Sequence, residues 1–340
     1  MNIAISFCGE GLGHTSRMSA ISNELKKYHD LTFWCPIQVE SFFKQNYSNP
    51  KIYSVPLLSL VKENNKINIF KTIKTNYKNI IFDNIVINNL VKQLINLKIE
   101  IVISDYEPFL AKAAKKAGIP LLLFNHPGII TKFSKTNISY FLSKITANFM
   151  MPFYKKTDLI ISSFYHGDVG PIIRNEIKNA VIKKDDFVLV YLKTSLKDKL
   201  LPVLNNLKGF NFKYFPNNED DFISSLTSCK AVIGASGHQL ISECLYLKKP
   251  ILVIPEKGQY EQFLNAEMLI KTGLGSVINE KNISESIIKF LNRVDKNDFI
   301  QKENLDYFNL DDDLEKAINK INIFFKKYNL KEPKKQHVYL

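Results

Sequence analysis

A glycine turn at residues 234–237 has residue types that suit the binding of an anion. Gly234 and Gly237 allow a ligand to approach the backbone closely, and Ser236 is a candidate N-cap of the helix that follows. The next three N–H groups would then lack partners at the positive end of a helix dipole, which is a site for phosphate groups. Glu243 lies on the same helix, so the sequence predicts a carboxylate beside the anion site that suits the paired hydroxyls of a ribose.

A second strand and helix follow immediately and carry further polar side chains. The apolar run 251–254 precedes the polar run 256–266, in which Glu261 and Asn265 are four residues apart at the start of a helix that Gly273 would end. Open α/β sheets bind ligands at the carboxyl ends of their strands, where both polar runs are expected to lie. Taken alone, a glycine turn of this kind is more often part of an ordinary βα crossover that binds nothing.

The first strand of the chain leads into another glycine-rich loop. The apolar residues 3–8 continue into the run GEGLGHTSR at residues 9–17, and a helix is expected to follow. The glycines have the spacing G-x-G-x-G, whereas a dinucleotide-binding loop has G-x-G-x-x-G. The sequence therefore does not support a nicotinamide or flavin site.

Two other polar residues follow apolar strands in this half of the chain. Asp105 comes after the run 99–104, where it either orients a catalytic histidine or caps the next helix. His126 comes after the run 119–124 and is a second histidine expected at the carboxyl edge of the sheet.

The run 234–266 resembles the donor-site signature of GT-B glycosyltransferases, in particular the lipid II N-acetylglucosaminyltransferase and related microbial enzymes. The run 9–17 is similar to the first loop of the same families, which faces the acceptor and the cleft between two domains. The resemblance implies an α/β fold with two doubly wound Rossmann-like domains. It also implies inverting, metal-independent transfer of a sugar from a nucleotide-sugar, most directly a UDP-sugar, to an acceptor hydroxyl, with no further cofactor.

The resemblance also assigns roles to single residues. His14 would be the catalytic base, with Asp105 orienting it. The acceptor-side loop would include Gly11, Gly13, Arg17 and His126. The residues expected to bind the donor are Lys193, Thr194, Phe215, Ser236, Gly237, His238, Glu243, Glu261, Gln262 and Asn265. Glu261 stands where the family has the first glutamine of a pair, and Lys193 lies in a loop without the glycines that the lipid II enzyme has there.

The length of 340 residues suits two domains. We expect an acceptor-side domain over 1–165, a linker over 166–185 and a donor domain over 186–310. A helix over 311–330 would cross back to the first domain, and 331–340 would form a basic tail. The Gly-Pro-x-x-Arg run at 170–174 is similar to the linker of the resembling group.

The formal net charge of +13 comes almost entirely from lysine. A lysine-rich solvated surface explains it, and attraction of nucleotide-sugars or anionic lipid is the functional alternative. Motifs of nucleic-acid-binding modules are lacking, so no nucleic-acid partner is expected. Cys8, Cys35, Cys229 and Cys244 lack metal-site spacing and are expected to be buried.

The location of the protein is predicted to be cytoplasmic, because we find neither a signal peptide nor a membrane-spanning run. An apolar stripe over residues 138–150 with nearby lysines is expected in the core, with peripheral contact to an anionic membrane as the alternative. Two alternatives to sugar transfer also remain from the sequence. These are a UDP-sugar epimerase of the same fold and a catalytically silent subunit that only binds.

Overall fold

The computed structural model contains two parallel β-sheets, each covered by helices. It describes residues 1–9, 12–58, 61–63, 66–67, 71, 74–75, 83–133, 138–192, 194–217, 219–299 and 308–329. The α/β class predicted from the sequence is confirmed. No helix in these ranges is both long enough and apolar enough to span a bilayer.

The first sheet has six parallel strands in the order β3-β2-β1-β6-β7-β8. The strands of the first half of the chain are β1 (Asn2–Phe7), β2 (Asp30–Cys35), β3 (Lys51–Ser54), β4 (Lys62–Glu63), β5 (Lys66–Ile67), β6 (Ile101–Asp105), β7 (Leu121–Asn125) and β8 (Asp158–Ile161). β4 and β5 form a separate antiparallel pair. Residues 3–5 of β1 are fully buried, as expected for a central parallel strand covered on both faces.

The helices of this half are α1 (Leu12–Leu25), α2 (Ile37–Asn46), α3 (Asp83–Asn96), α4 (Pro108–Lys116) and α5 (Ile138–Met150), with short 3₁₀ segments at Pro127–Lys132 and Tyr154–Lys156. The alternation of polar and apolar residues over 67–98 is typical of one or two helices. α3 accounts for the end of that segment, and most of the rest lies outside the described residues.

The second sheet has five parallel strands in the order β10-β9-β11-β12-β13. Its strands are β9 (Val188–Tyr191), β10 (Phe212–Phe215), β11 (Ala231–Ala235), β12 (Ile251–Ile254) and β13 (Gly275–Val277). The helices of this half are α6 (Asn175–Lys178), α7 (Thr194–Asn205), α8 (Phe222–Ser228), α9 (His238–Tyr246), α10 (Tyr260–Thr272), α11 (Ile283–Asp295) and α12 (Leu314–Asn329).

Strand order reverses once in each sheet, and these two points position the candidate site. In the first sheet the reversal lies between β1 and β6, and in the second between β9 and β11. Ligands of open α/β sheets bind beyond the carboxyl ends of the strands at such a switch point. The loop after β1 and the turn after β11 therefore both lie where a ligand is expected.

Buried apolar side chains connect the two halves. One cluster contains Phe164 and Tyr165 after β8 together with Ile241 of α9 and Leu264 of α10. The last helix, α12, packs its apolar side chains into a cluster with Ile5 and other residues of the first sheet. The two sheets are thus held against each other by shared core as well as by the chain that links them.

Candidate active site

A cavity of about 870 Å³ lies between the two halves, beyond the carboxyl ends of both sheets. The first half contributes Gly13, His14 and Arg17 to its walls, and the second half contributes Gly237 and Glu243. The structure therefore brings the two glycine loops singled out in the sequence to one shared space.

His14, Asp105 and Arg17 form a hydrogen-bonded group in the first half. His14 Nδ1 lies 2.8 Å from Asp105 Oδ1, and Arg17 donates to the same carboxylate from Nε at 3.0 Å and from Nη2 at 2.7 Å. Asp105 ends β6 and is fully buried, whereas the first turn of α1 places His14 in the cavity wall.

The charge of this carboxylate determines what the histidine can do. Burial alone would raise the pKa of Asp105, but the Arg17 guanidinium and His14 outweigh burial and hold that pKa below its ordinary value. An ionised Asp105 accepts a hydrogen bond from the N–H group at Nδ1 of His14. Nε2 of the neutral ring then carries a lone pair and can accept a proton from a substrate.

Glu107, and not Asp105, caps the helix that follows β6. Its carboxylate accepts hydrogen bonds from Phe109 N at 2.8 Å and Leu110 N at 2.9 Å. Burial raises the pKa of Glu107 to about 7, although these two N–H groups act in the opposite direction. The capping alternative for Asp105 was therefore wrong, because the adjacent glutamate takes that place and leaves Asp105 to His14 and Arg17.

The turn after β11 differs from the predicted one by one residue. α9 begins at His238 and its N-cap is Gly237, with no side-chain cap. The prediction of Ser236 as N-cap was wrong, because the Ser236 side chain is fully buried and its hydroxyl has no partner among the described residues. The unpaired N–H groups of the first helical turn therefore start one residue later in the chain than the sequence predicted.

Gly237 leaves open space where a side chain would be. Its φ of −71° suits any L-residue, and a Cβ added there would meet no atom within 4 Å. A Cβ added at Gly234, by contrast, would lie 2.7 Å from Leu240 Cδ2. Packing therefore explains why position 234 has a glycine. At position 237 neither packing nor the backbone conformation requires one. The open side of Gly237 suits the close approach of a ligand.

His238, the first residue of α9, has a ring nitrogen without a hydrogen-bond partner among the described residues. The ring lines the cavity, and this nitrogen is Nδ1. Nε2 lies 3.3 Å from Ser242 Oγ. Burial, followed by the nearby His126, Arg17 and His14, lowers the pKa of His238 well below its ordinary value, so the ring is neutral. If Ser242 donates to Nε2, Nδ1 carries the proton and can donate to an anion.

Glu243 is held by two side chains in the wall of the cavity. Its Oε1 accepts from Arg174 Nε at 2.7 Å and from Gln239 Nε2 at 2.8 Å, and its Oε2 accepts from Arg174 Nη2 at 2.7 Å. Burial would lower the pKa of Arg174, but Glu243 outweighs burial and raises it. Each carboxylate oxygen has two lone pairs, so Oε2 can accept another hydrogen bond.

Arg174 was absent from the site residues predicted from the sequence. It also lines the cavity, and its guanidinium carbon lies 5.7 Å from the centre of the Phe222 ring. Its rarity was an available signal, since only three arginines occur in this lysine-rich chain. A bidentate pair with a carboxylate is the geometry for which arginine, unlike lysine, is suited.

Aromatic side chains surround one end of the cavity. Phe215, predicted from the sequence, ends β10 and lines this region together with Tyr191 and Phe222, which the sequence reasoning missed. The Phe222 ring lies 5.3 Å from that of Tyr191 and 5.5 Å from that of Phe215. Flat apolar surfaces of this kind suit a nucleobase.

Two of the three α10 residues predicted from the sequence reach the cavity. Glu261 and Gln262 line it, and Gln262 Nε2 donates to Gln259 Oε1 at 2.7 Å. Asn265 does not line it. The Asn265 side chain is fully buried behind the wall, where Nδ2 donates to the carbonyl oxygen of Ser236 at 3.0 Å.

His126 lies between the two halves of the molecule. Its ring stacks on that of His238 with centres 3.7 Å apart, and its Nε2 lies 3.1 Å from Asn265 Oδ1. Burial, then Arg17, lowers the pKa of His126 to about 3, so the ring is neutral at ordinary pH. His126 lines the cavity but is only 2% exposed.

Of three residues predicted from the sequence, two are not described by the structure and the third is placed only within a helix. Gly11 and Lys193 lie outside the described residues. Thr194 is the first residue of α7.

Within the part of the chain that is described, no group of three or more histidine, cysteine, aspartate or glutamate side chains is arranged to hold a metal ion. All four cysteines are buried, as the sequence predicted.

The side of the cavity formed by α5 carries apolar side chains that continue onto the surface. Ile145, Phe149 and Met150 of α5 line it. Ile145 and Phe149 are also 52% and 37% exposed, and the neighbouring Phe141 is 61% exposed. The stripe on α5 that the sequence placed in the core is therefore divided between the cavity wall and open surface.

Comparison with known proteins identifies the family of this chain. The model of a family described as "Glycosyl transferase family 1" matches residues 1–295. The chain belongs to this family. Among its relatives, an uncharacterised glycosyltransferase of Methanosarcina mazei is 24% identical over 86% of this chain and 90% of its own length.

Two further similarities concern MurG-type enzymes. The UDP-N-acetylglucosamine--N-acetylmuramyl-(pentapeptide) pyrophosphoryl-undecaprenol N-acetylglucosamine transferase of Clostridium botulinum is 27% identical to this glycosyltransferase over 47% of this chain and 43% of its own. The crystal structure of MurG from Acinetobacter baumannii superposes with a TM-score of 0.55, covering 95% of this chain and 99% of that one at 13% identity. The predicted GT-B fold is confirmed, and the protein is a glycosyltransferase.

Proposed function

We propose that this glycosyltransferase moves a sugar from a UDP-sugar to an acceptor hydroxyl with inversion and without a metal ion. One observation carries the proposal. His14, which is hydrogen-bonded to the buried Asp105, and the open turn at Gly237 lie in the walls of a single cavity. In this proposal residues 1–165 form the acceptor-side domain and residues 186–310 the donor domain.

The donor would be bound mainly by the second half. The diphosphate lies at Gly237 and the first turn of α9, where free N–H groups and Nδ1 of His238 can donate to it. The ribose hydroxyls donate to Glu243, and the base packs at the aromatic end of the cavity. The remaining donor contacts proposed are Glu261 and Gln262 for the sugar, and Lys193 and Thr194 for the phosphates.

The reaction is a single displacement at the anomeric carbon. Nε2 of His14 takes the proton of the acceptor hydroxyl while the acceptor oxygen forms a bond to that carbon. The bond from the carbon to the diphosphate oxygen breaks at the same time on the opposite face, so the configuration inverts. The charge that develops on the leaving diphosphate is stabilised by the N–H groups of the turn, and Asp105 stabilises the imidazolium.

The acceptor would bind on the apolar side of the cavity, and a lipid-linked acceptor fits its continuation onto α5. We include peripheral contact with an anionic membrane in the proposal, because Phe141 and Leu142 are exposed on α5 and Lys144 follows on the same helix. Replacing Phe141 and Leu142 with serine should then lower cosedimentation with vesicles containing anionic phospholipid. Ile323→Ser, on exposed Ile323 of α12, is the matched control. Equal sedimentation of both variants would remove the membrane from the proposal.

A panel of nucleotide-sugars tests the transfer reaction. We expect release of UDP from a UDP-sugar, with simple alcohols and lipid-linked saccharides offered as acceptors. NMR of the product should show an inverted anomeric configuration. Retention of configuration would overturn the displacement at His14. A new sugar isomer formed from the donor alone would identify an epimerase instead.

A further inference from the structure

Asn265 connects the donor-binding turn with the first half of the molecule. Its Nδ2 donates to the carbonyl oxygen of Ser236 at 3.0 Å, and its Oδ1 accepts from the hydroxyl of Tyr165 at 3.2 Å. Nε2 of His126 lies 3.1 Å from the same Oδ1. All four residues are buried, and none of these contacts involves a residue close to Asn265 in sequence.

The bond to Ser236 fixes a peptide plane at the mouth of α9. The carbonyl of Ser236 and the N–H of Gly237 belong to one peptide unit, and in a trans peptide the two groups point in opposite directions. Asn265 holds the carbonyl toward the protein interior, whereas Gly237 lines the cavity. The N–H of Gly237 is consequently directed toward the space proposed for the diphosphate.

The first half of the molecule sets which way the Asn265 amide faces. A carbonyl oxygen only accepts hydrogen bonds, so the atom of Asn265 that faces Ser236 O must be the amide nitrogen. Oδ1 then faces Tyr165, whose hydroxyl can donate to it. Rotation of the amide by 180° would place two acceptors against each other at Ser236. The hydroxyl of Tyr165 thus supports the one orientation that anchors the turn.

We propose that Asn265 is a positioning residue, held by Tyr165, that aims the N–H of Gly237 at the donor diphosphate. This inference rests on the proposed function, and it replaces the direct contact with the donor that was expected of Asn265 from the sequence. A buried residue of the α10 helix then acts on the phosphate without touching it. The affinity for phosphate depends on the first half of the molecule through this contact.

The difference between UDP and uridine binding isolates this effect. Calorimetry with both ligands on Asn265→Ala should show a loss of roughly tenfold or more in UDP affinity, since hydrogen bonds to charged groups are the strong ones. Uridine affinity should stay within about twofold, because the base and ribose contacts do not involve the turn. Tyr165→Phe, which removes only one hydroxyl, should lower UDP affinity about threefold in the same phosphate-dependent way.

Thr272→Val is the matched control. Thr272 lies on the same helix, is fully buried and donates to the carbonyl oxygen of Leu269, so its loss perturbs α10 without reaching the turn. The control should leave the ratio of UDP to uridine affinity unchanged. An unchanged ratio in Asn265→Ala, or in Tyr165→Phe if the alanine variant does not fold, would overturn the inference alone. Failure of the unmodified protein to bind UDP more tightly than uridine would overturn the proposed donor site as well.

Discussion

Gly13 of α1 packs directly against Gln239 of α9. A Cβ added at Gly13 would lie 3.3 Å from Gln239 Cβ, which is closer than most real Cβ contacts. This approach brings the first turn that carries His14 against the first turn of α9, which follows Gly237. The candidate base and the candidate phosphate site are thus set on two helices in contact.

Gly13→Val should separate these two helices. The larger side chain meets Gln239, so the halves can no longer approach as closely, and the base is displaced from the donor. We expect kcat for transfer to fall by at least about tenfold, since small misplacements of reacting groups are costly. UDP affinity, measured by calorimetry, should change much less. A variant with unchanged kcat would show that this contact does not set the geometry of the reaction.

Gly237→Ala should weaken donor binding without weakening the fold. The backbone conformation of Gly237 suits alanine, and the added Cβ meets no protein atom, so the free energy of unfolding should rise by about 0.5 kcal/mol. The same methyl group would occupy space needed by the diphosphate. UDP affinity should therefore fall roughly tenfold or more, which is the effect of losing one hydrogen bond to a charged group.

Gly209→Ala provides the opposite control for this prediction. Gly209 has a φ of +84°, so alanine there is strained although space is open around it. This variant should unfold at lower urea concentration and bind UDP normally. If Gly237→Ala binds UDP as tightly as the unmodified protein, the phosphate site lies elsewhere.

Glu243→Gln should remove discrimination at the ribose. Glutamine keeps the shape of Glu243 but loses the charge that attracts ribose hydroxyls and pairs with Arg174. The unmodified protein is expected to bind UDP more tightly than 2′-deoxy-UDP, and the variant should bind the two with similar affinity. A preference that survives the substitution would mean that another group contacts the ribose.

The buried histidines predict a loss of stability in acid. Burial lowers the pKa of His126 to about 3 from an ordinary value near 6.5. Between these values the unfolded state holds a proton that the folded state lacks, so the free energy of unfolding falls as pH falls, by up to about 1.4 kcal/mol per pH unit. The groups facing His126 include Arg17, His14, His238 and Glu261.

Urea unfolding at several pH values between 4.5 and 7 tests this dependence. His126→Gln removes the titrating group, so the slope of unfolding free energy against pH should be shallower in the variant than in the unmodified protein. The comparison uses slopes, because the variant also loses packing against His238 and will be less stable at every pH. Parallel slopes would show that His126 is not the group responsible.

Local sequence was enough to predict both loops of the site. Strand, glycine turn and helix follow each other within about fifteen residues, and the strand order of a doubly wound sheet then brings the loops to one edge. Asp105, Gly237 and Glu243 were singled out in this way, and His14 through the resemblance of residues 9–17 to the first loop of GT-B enzymes. Of the contacts expected between them, the structure contains that of His14 with Asp105, at 2.8 Å from Nδ1 to Oδ1.

Contacts between distant parts of the chain were not predictable in the same way. Ser236 has a residue type that is common at the N-cap, but the N-cap in the structure is Gly237. The carbonyl oxygen of Ser236 accepts a hydrogen bond from Asn265, a contact that local sequence does not reveal. Arg174 and Glu243 are 69 residues apart, and nothing local marks them as a pair. His126 was expected at the carboxyl edge of the sheet and does line the cavity, but packing against His238 leaves it buried.

The most direct test of the central claim is the rate of UDP release from a UDP-sugar by the unmodified protein and by His14→Ala, with UDP affinity measured on both. Water can replace the acceptor, so the test needs no knowledge of the natural one. We predict that the rate falls by about 10²- to 10⁴-fold in the variant while UDP affinity stays within twofold. Equal rates in the two proteins would contradict the account, because the imidazole in the first half would then have no part in breaking the bond to the diphosphate held by the second.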